Sequence, residues 1–201
     1  MLLVPTAYTH PEGTVYLSSY DIALLQAGWA ISDTTQVTLT ATPPLGEDAI
    51  FPLDLSLKTV IVQDGPLRIA GIGAITGIVG LEEGNFLLGR AGATVELCLD
   101  DDCDSTMAMA TSVLFAGPAT LAGSGVGVVW RVANWLALLA EVDTLLPLGN
   151  EVGGAHGIVA GAGVRFPFRK VSVDLGLLRP YDVESNVPAL PLLVVTYRFL
   201  P

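Results

Sequence analysis

Two stretches of this chain alternate between apolar and polar residues, and the polar positions carry isolated charges. Within residues 53–59 the leucines alternate with Asp54, Ser56 and Lys58, and residues 171–177 repeat the pattern around Asp174. Because successive side chains of a strand point to opposite faces, each stretch predicts a strand with one apolar and one polar face. Two arrangements satisfy this pattern: a soluble sandwich with its apolar faces inside, or a barrel with its apolar faces outside.

Composition favours the barrel. Hydrophobic residues make up 51% of the 201 residues, and charged residues make up only 14%, whereas a soluble domain has about 25% charged residues. We therefore expect the apolar faces to contact lipid and the polar faces to line a lumen. The net charge of −11 argues against nucleic acid as a partner, because phosphate recognition needs lysine and arginine.

A transmembrane helix is the competing prediction for residues 105–130, which contain no charged residue. The run is long enough to span a bilayer as a helix. Its middle, however, contains Gly117 and Pro118 and is followed by Gly123, Gly125 and Gly127. Since proline and glycine disfavour helices, two strands joined by a turn are the better prediction.

Turn signals divide the chain into segments of about ten residues, the length of a tilted membrane strand. Strands are predicted near residues 13–20, 22–31, 36–42, 51–62, 67–79, 86–99, 105–116, 120–132, 135–146, 156–166, 170–179 and 190–199. The predicted fold is all-β, a transmembrane antiparallel up-and-down β-barrel of about twelve strands. Ten strands are the alternative, and the first two segments are alternatively one long bent strand. Residues 1–12 are assigned to an N-terminal periplasmic segment and residues 13–201 to the barrel.

Short and longer connections mostly alternate between the predicted strands, and aromatic residues cluster near both kinds. Those near short turns are Trp29, Trp130, Trp135, Phe166, Phe168, Tyr197 and Phe199, and those near long loops are Tyr20, Phe51, Phe86, Phe115 and Tyr181. Bacterial membrane barrels have short periplasmic turns, longer extracellular loops and two aromatic girdles. We therefore expect a bacterial outer-membrane location with both termini in the periplasm. Pro5 comes too early for a signal-peptide core, so a native signal peptide is expected to be missing from the sequence.

Two segments resemble bacterial outer-membrane β-barrel proteins. Residues 28–37, GWAISDTTQV, look like the strand-turn-strand hairpin of those barrels, and residues 195–199, VTYRF, look like their closing strand. The resemblance implies that the barrel-assembly machinery reads the terminal aromatic residue, Phe199. This chain departs from the pattern by adding Leu200 and Pro201. The resemblance covers almost the whole chain in architecture and is specific for the class, not for one functional family.

Strand parity places a set of charged side chains in the lumen. The set is Lys58, Arg68, Arg90, Glu96, Arg131, Glu141, Asp143, Arg165, Asp174 and Arg198, together with Asp54. A charge on the lipid face near the bilayer centre costs about 2–4 kcal/mol, so this assignment is a physical constraint. One interpretation is a structural ion-pair network that partly fills the barrel. The other is a path or binding site for a small polar solute, in which the arginines favour anions.

Cys98 and Cys103 flank a Leu-Asp-Asp-Asp sequence at a hairpin end. Their spacing favours a disulfide, which suits an oxidising compartment, and two free thiols are the alternative.

Catalytic residues, cofactors and bound metals are not expected. His10 and His156 are the only histidines, and the cysteine and histidine complement is too small for a zinc site. A catalytic set of Glu151, His156 and Ser185 can be imagined, but nothing in the sequence brings these residues together. The acidic residues at 82–83 and 100–104 lack the spaced ligands of a calcium loop.

The leading functional prediction is a small pore or solute-translocating channel with a charged, partly filled lumen. Its expected partners are outer-membrane lipid, the barrel-assembly machinery and small polar or anionic solutes. The alternative is a structural or interaction barrel that acts through its extracellular loops without transport. An outer-membrane enzyme is the third hypothesis.

Overall fold

The computed structural model describes residues 6–21, 24–42, 51–79, 86–116, 119–148, 157–181 and 188–200. These residues contain no helix long and apolar enough to cross a membrane. Their strands are β1 (Val15–Tyr20), β2 (Leu24–Ser32), β3 (Thr35–Ala41), β4 (Phe51–Asp64), β5 (Leu67–Val79), β6 (Phe86–Cys98), β7 (Thr106–Ala116), β8 (Ala119–Ala133), β9 (Leu136–Pro147), β10 (Gly157–Pro167), β11 (Val171–Tyr181) and β12 (Leu190–Phe199).

Each strand pairs with the next along the chain, and β12 pairs with β1 to close the barrel. The closing ladder is antiparallel and runs from Val15 opposite Phe199 to Tyr20 opposite Val194. The predicted up-and-down barrel of twelve strands is therefore confirmed. A single bent first strand was the wrong alternative, because Asp21 has a φ of 50° and turns the chain back into β2.

The charge-free run at residues 105–130 forms β7 and β8, which pair as an antiparallel hairpin. The helical alternative was therefore wrong. Alternate glycines in β8 are tolerated because they face small or polar neighbours across the ladder, as where Gly125 lies opposite Ala110 and Gly123 lies opposite Ser112.

The alternating strands have their apolar faces outside. In β4 the side chains of Leu53, Leu55 and Leu57 are each about half exposed on the outer surface, while Ser56 and Lys58 line the interior cavity. Large apolar side chains are similarly exposed on every strand. Such an outer surface is stable in contact with lipid and not with water, so the barrel has the surface of a membrane-spanning protein.

The aromatic residues mostly lie on the outer surface near the strand ends. Exposed rings at the short turns include Trp29, Trp130 and Trp135, and exposed rings at the other end include Phe115 and Tyr181. Tyr20 is a correction to this pattern. Its strand ends early and its side chain faces inwards, where its hydroxyl donates to Gln26 Oε1 over 3.5 Å. The predicted girdle side chains of Phe51 and Phe86 lie outside the described residues.

Residues 6–14 fold back against the short-turn end of the barrel. The N–H of Gly13 donates to the carbonyl of Ala30, and the N–H of Ala30 donates to the carbonyl of Thr14, both over 2.9 Å. The N–H of Glu12 donates to Asp33 Oδ1 over 2.8 Å, and the hydroxyl of Thr9 donates to the Asp33 carbonyl. These bonds hold the segment beside the β2–β3 turn and direct its first residues into the lumen.

Candidate functional site

A cavity of about 670 Å³ occupies the barrel interior. Its lining extends from residues near the short turns, such as Arg131 and Pro167, to residues nearer the other end, such as Asp143. Six of the ten predicted lumen charges line it: Lys58, Arg90, Arg131, Asp143, Arg165 and Arg198. The other four, Arg68, Glu96, Glu141 and Asp174, are buried or half-buried beside it.

The tightest charged contact joins β10 to β11 at the short-turn end. Arg165 and Asp174 face each other across the ladder, and the pair is bidentate, with Nε to Oδ1 at 2.8 Å and Nη2 to Oδ2 at 2.6 Å. Asp174 is 4% exposed. Two parallel bonds of this kind fix the guanidinium and compensate its charge, so this pair acts mainly as a structural brace.

A second arginine, Arg131, hydrogen-bonds to the β8–β9 turn. Arg131 donates from Nε to the carbonyl of Ala133 over 2.9 Å and from Nη2 to the carbonyl of Asn134 over 2.8 Å. Its Nη1 lies 3.4 Å from Asp104 Oδ1. Asp104, one of the acidic residues at 100–104, is thus the counter-ion of Arg131, and it also lies on the cavity lining.

A third pair lies farther from the short turns. Arg90 Nη2 is 3.8 Å from Asp54 Oδ1, and the hydroxyl of Thr76 donates to Asp54 Oδ2 over 2.7 Å. The Arg90 side chain is 38% exposed, while its Nε is buried and has no hydrogen-bond partner. Of the three paired arginines, Arg90 therefore has the loosest pairing and the most free donor capacity.

Three predicted lumen charges hold the N-terminal segment. Lys58 Nζ donates to the carbonyls of Thr6 and Tyr8, and Glu96 Oε2 accepts the N–H of Tyr8 over 2.8 Å. The guanidinium of Arg68 lies 5.6 Å from the centre of the Tyr8 ring, a distance at which a cation and an aromatic face attract. Lys58, Arg68 and Glu96 thus bind the protein's own chain, which narrows the short-turn mouth.

His10 lies inside this mouth between two tyrosines. Its ring centre is 5.5 Å from that of Tyr8 and 5.0 Å from that of Tyr16. The pKa of His10 is lowered to about 4, first by burial and then by the positive charges of Arg198 and Lys58. The imidazole is therefore neutral at pH 7, and its protonation opposes the docked position of the segment.

Glu141 and Asp143 project from β9 towards positions occupied by glycine. Glu141 lies opposite Gly127 and Gly161, and Asp143 lies opposite Gly125. A Cβ added at Gly161 would come within 3.1 Å of the Glu141 side chain and 2.8 Å of Leu178. The glycines thus leave room for the two acidic side chains along one side of the lumen.

One side of the lumen is uncharged and was not singled out by the sequence. There Gln36 Nε2 donates to the hydroxyl of Tyr16 over 2.7 Å, and Tyr16 also contacts Thr38 Oγ1 at 3.1 Å. Farther from the short turns, Gln26 Nε2 donates to Thr40 Oγ1 over 3.2 Å. The alternation of Tyr, Ser, Gln and Thr with apolar residues in β1 to β3 was the sequence signal for this polar surface. Parity was applied only to charged residues, so the prediction did not include it.

Part of the inner surface is apolar, contrary to the expected polar lumen. Ala108, Ala110, Val129, Ala137 and Leu139 form a buried cluster, against which Leu178 and Leu192 pack. Leu178 and Leu192 reach this cluster from β11 and β12, which do not pair with β7, β8 or β9. The cavity is therefore smaller than an open twelve-stranded lumen.

Cys98 and Cys103 are joined by a disulfide in the structure. The turn they bridge is further ordered by Asp100, whose carboxylate accepts the N–H groups of Asp104 and Ser105 over 2.7 and 2.9 Å. The disulfide and the bonds to Asp100 thus hold the loop that places Asp104 against Arg131.

Among the described residues, no group of three or more His, Cys, Asp or Glu side chains has the arrangement of a metal site. The imagined catalytic residues Glu151, His156 and Ser185 lie outside the described part of the chain.

Neither a protein-family model nor a curated protein matches this sequence. Solved structures do match its fold. The KdgM porin, in complex with disordered oligogalacturonate, gives a TM-score of 0.67 at 7% identity, over 93% of this chain and 98% of that one. The NanC porin gives 0.63 at 4% identity, over 93% and 99%, and LpxR from Salmonella typhimurium gives 0.56 at 12% identity, over 92% and 99%. The chain therefore has the fold of the bacterial outer-membrane β-barrel proteins.

Proposed function

We propose that this protein is a small outer-membrane channel for polar solutes, with a preference for anions, whose short-turn mouth is narrowed by its own N-terminal segment. The observation that carries the proposal is the cavity of about 670 Å³ in the barrel interior, whose lining includes charged and hydroxyl side chains. A barrel without transport needs no polar cavity of this size, because side chains can fill the interior of a small barrel.

The preference for anions rests on which lumen charges remain available. Arg165 donates two hydrogen bonds to Asp174, whereas Arg90 is only loosely paired. Arg198 also lines the cavity. Arginine donors that face water along a narrow path attract anionic groups. Uncharged hydroxyl and amide groups on β1 to β3, where Tyr16 lies next to Arg198 in the ladder, supply hydrogen bonds for a hydroxylated solute.

The porin folds of KdgM and NanC are compatible with this proposal. In the proposed setting, the apolar surface contacts outer-membrane lipid, and the barrel-assembly machinery inserts the chain by its closing strand. The short turns and both termini then face the periplasm, so the N-terminal segment narrows the periplasmic mouth.

The second candidate is an interaction barrel without transport. Its support is the pairing of Arg131 and Arg165 with carboxylates, together with the use of Lys58 and Glu96 to hold the N-terminal segment. In that case the charges are structural and the loops contact a partner.

Single-channel recording in planar bilayers tests the channel proposal. We expect the full chain to conduct and to be anion-selective in a salt gradient. Arg90→Gln should shift the reversal potential towards cation selectivity, because Asp54 then remains without its counter-ion. Arg131→Gln should act in the same direction through Asp104.

Arg179→Gln is the matched control. Arg179 is exposed on the outer surface, where its guanidinium lies 5.1 Å from the ring centre of Tyr181, so its loss should leave selectivity unchanged. Folding is checked by heat-dependent mobility on a detergent gel. A correctly folded barrel that carries no current would rule out the channel and favour the interaction barrel.

A further inference from the structure

The three side chains that hold the start of the N-terminal segment come from three consecutive strands. Lys58 lies on β4, Arg68 on β5 and Glu96 on β6. Arg68 lies directly opposite Glu96 in the ladder, where a direct pair of opposite charges would be stabilising. Among the described residues, however, no ion pair involves either of them. Both side chains contact Tyr8 instead, so this part of the wall has its charges placed for a chain inside the lumen.

Lys58 and Glu96 bind the two backbone groups of one residue. Glu96 Oε2 accepts the N–H of Tyr8 over 2.8 Å. Lys58 Nζ donates to the carbonyl of Tyr8 and, over 3.2 Å, to the carbonyl of Thr6. The N–H and C=O of one residue in an extended chain point to the same side, so the two charges replace a neighbouring strand. Glu96 is 2% exposed, and a charge buried this deeply needs a partner, which here is a peptide N–H.

The same part of the wall also discriminates between side chains. The guanidinium of Arg68 lies 5.6 Å from the ring centre of Tyr8, a contact that only an aromatic residue supplies. Ala7 is fully buried, and a larger side chain at such a position is overpacked. The contacts therefore select a small residue followed by an aromatic one.

The rest of the segment is held elsewhere. Thr9 and Glu12 are hydrogen-bonded to Asp33 on the β2–β3 turn, and the bonds of residues 13–14 are to β2. Residues 6–8 can therefore leave the wall of β4 to β6 while the later residues keep their own bonds. A second chain with the same chemistry can then occupy the position of residues 6–8.

We propose that the inner wall formed by Lys58, Arg68 and Glu96 is a binding site for short extended peptides with an aromatic residue after a small one. Residues 6–8 are its intramolecular occupant. A peptide that enters through the short-turn mouth displaces them and takes over the bonds to Lys58 and Glu96. A solute with only acceptor groups is a poorer occupant, because Glu96 then has no donor. Peptide binding at this site does not depend on conduction through the lumen.

Fluorescence anisotropy of a labelled peptide tests the site. The probe is the tripeptide amide of residues 6–8, TAY, with a fluorophore at its N-terminus, and it is titrated with the folded full-length barrel in detergent. In the wild type the barrel's own segment competes with the probe. Tyr8→Ala removes the ring beside Arg68, so this variant should bind the probe about tenfold more tightly than the wild type does.

Tyr181→Ala is the matched control, because it removes the ring of the other described contact between an arginine and an aromatic residue, that of Arg179 on the outer surface. It should bind the probe with wild-type affinity. No saturable binding of the probe to the folded Tyr8→Ala barrel, or an equal gain in Tyr181→Ala, would overturn the site.

The backbone contact is tested in the Tyr8→Ala barrel with a probe that is N-methylated at its tyrosine and has no N–H for Glu96. This probe should bind about tenfold more weakly than the unmodified one, because a hydrogen bond to a carboxylate is lost. Adding Glu96→Ala should weaken binding of the unmodified probe to the level of the methylated one. Equal affinity of the two probes for the Tyr8→Ala barrel would show that Glu96 does not recognise the peptide and would overturn the proposal.

Discussion

At the scale of single residues, the packing of Tyr16 illustrates how the interior is ordered. Tyr16 lies opposite Gly28 in the β1–β2 ladder, and its ring covers the position where a Cβ at Gly28 would stand. In this position its hydroxyl reaches Gln36 and Thr38. The absent side chain at Gly28 thus allows a buried hydrogen-bond network to form across three strands.

Gly28→Ala should therefore displace Tyr16 and lower the free energy of unfolding by about 1–3 kcal/mol, as overpacking does. The measurement is urea unfolding in lipid vesicles, followed by tryptophan fluorescence. Gly73→Ala is the control, because a Cβ at Gly73 meets no atom within 4 Å, and its effect should stay within about 0.5 kcal/mol. Equal losses in the two variants would contradict the proposed role of the Tyr16 ring.

Predictability also differs from residue to residue. Leu57 and Lys58 were assigned to opposite faces because their strand alternates without interruption. Tyr20 was assigned to the outer girdle because an aromatic residue near a strand end usually lies there, and the early end of β1 was not visible in the pattern. The faces of Ala108 and Ala110 could not be assigned from alternation, because small residues occur on both the lipid face and the lumen face of a strand.

At the scale of elements, the sequence assigned residues 1–12 to a periplasmic segment but gave no signal for the contacts that this segment makes with the barrel. The segment is held by backbone groups: two of its carbonyls accept from Lys58 and one N–H donates to Glu96. Because every residue has these backbone groups, such contacts cannot be read from residue types. By contrast, strand bounds were predicted within about two residues, because each strand has its own turn signals and alternation.

The docked segment should respond to pH through His10. Docking lowers the His10 pKa from 6.5 to about 4, so the docked state is fully favoured above the free value and is weakened as pH falls from about 6.5 towards 4. Lys58 and Arg198 stay charged in this range, and the segment should leave the mouth on acidification. We expect single-channel conductance to rise between pH 7 and pH 4.5.

The His10→Phe variant keeps an aromatic ring between Tyr8 and Tyr16 but has no proton to gain. Its conductance should therefore lack the component of the pH response that is due to His10. Lumen carboxylates also titrate on acidification, and comparison with this variant separates their contribution. Identical pH profiles for wild type and His10→Phe would contradict the role of the histidine.

At the scale of the whole molecule, closure and inside-out polarity follow from the sequence, whereas the state of the lumen does not. Alternation, turn spacing and aromatic placement are repeated in many strands, so errors at single positions such as Tyr20 do not alter the architecture. How far the cavity is filled depends on side chains from strands that are not paired with each other, as where Leu178 of β11 packs against the buried cluster on β7 to β9. The sequence therefore predicted a charged lumen, but it predicted neither the volume of the cavity nor the docking of the N-terminal segment in its mouth.

The central claim is that solutes cross through this lumen. Modification of introduced cysteines during single-channel recording tests it most directly, because the two native cysteines are joined in a disulfide. Ser56 lines the cavity, and the next residue, Leu57, is exposed on the lipid-facing surface. A charged thiol reagent should reduce the conductance of Ser56→Cys and leave that of Leu57→Cys unchanged. A conducting Ser56→Cys barrel that is insensitive to the reagent, or equal block in both variants, would contradict the claim.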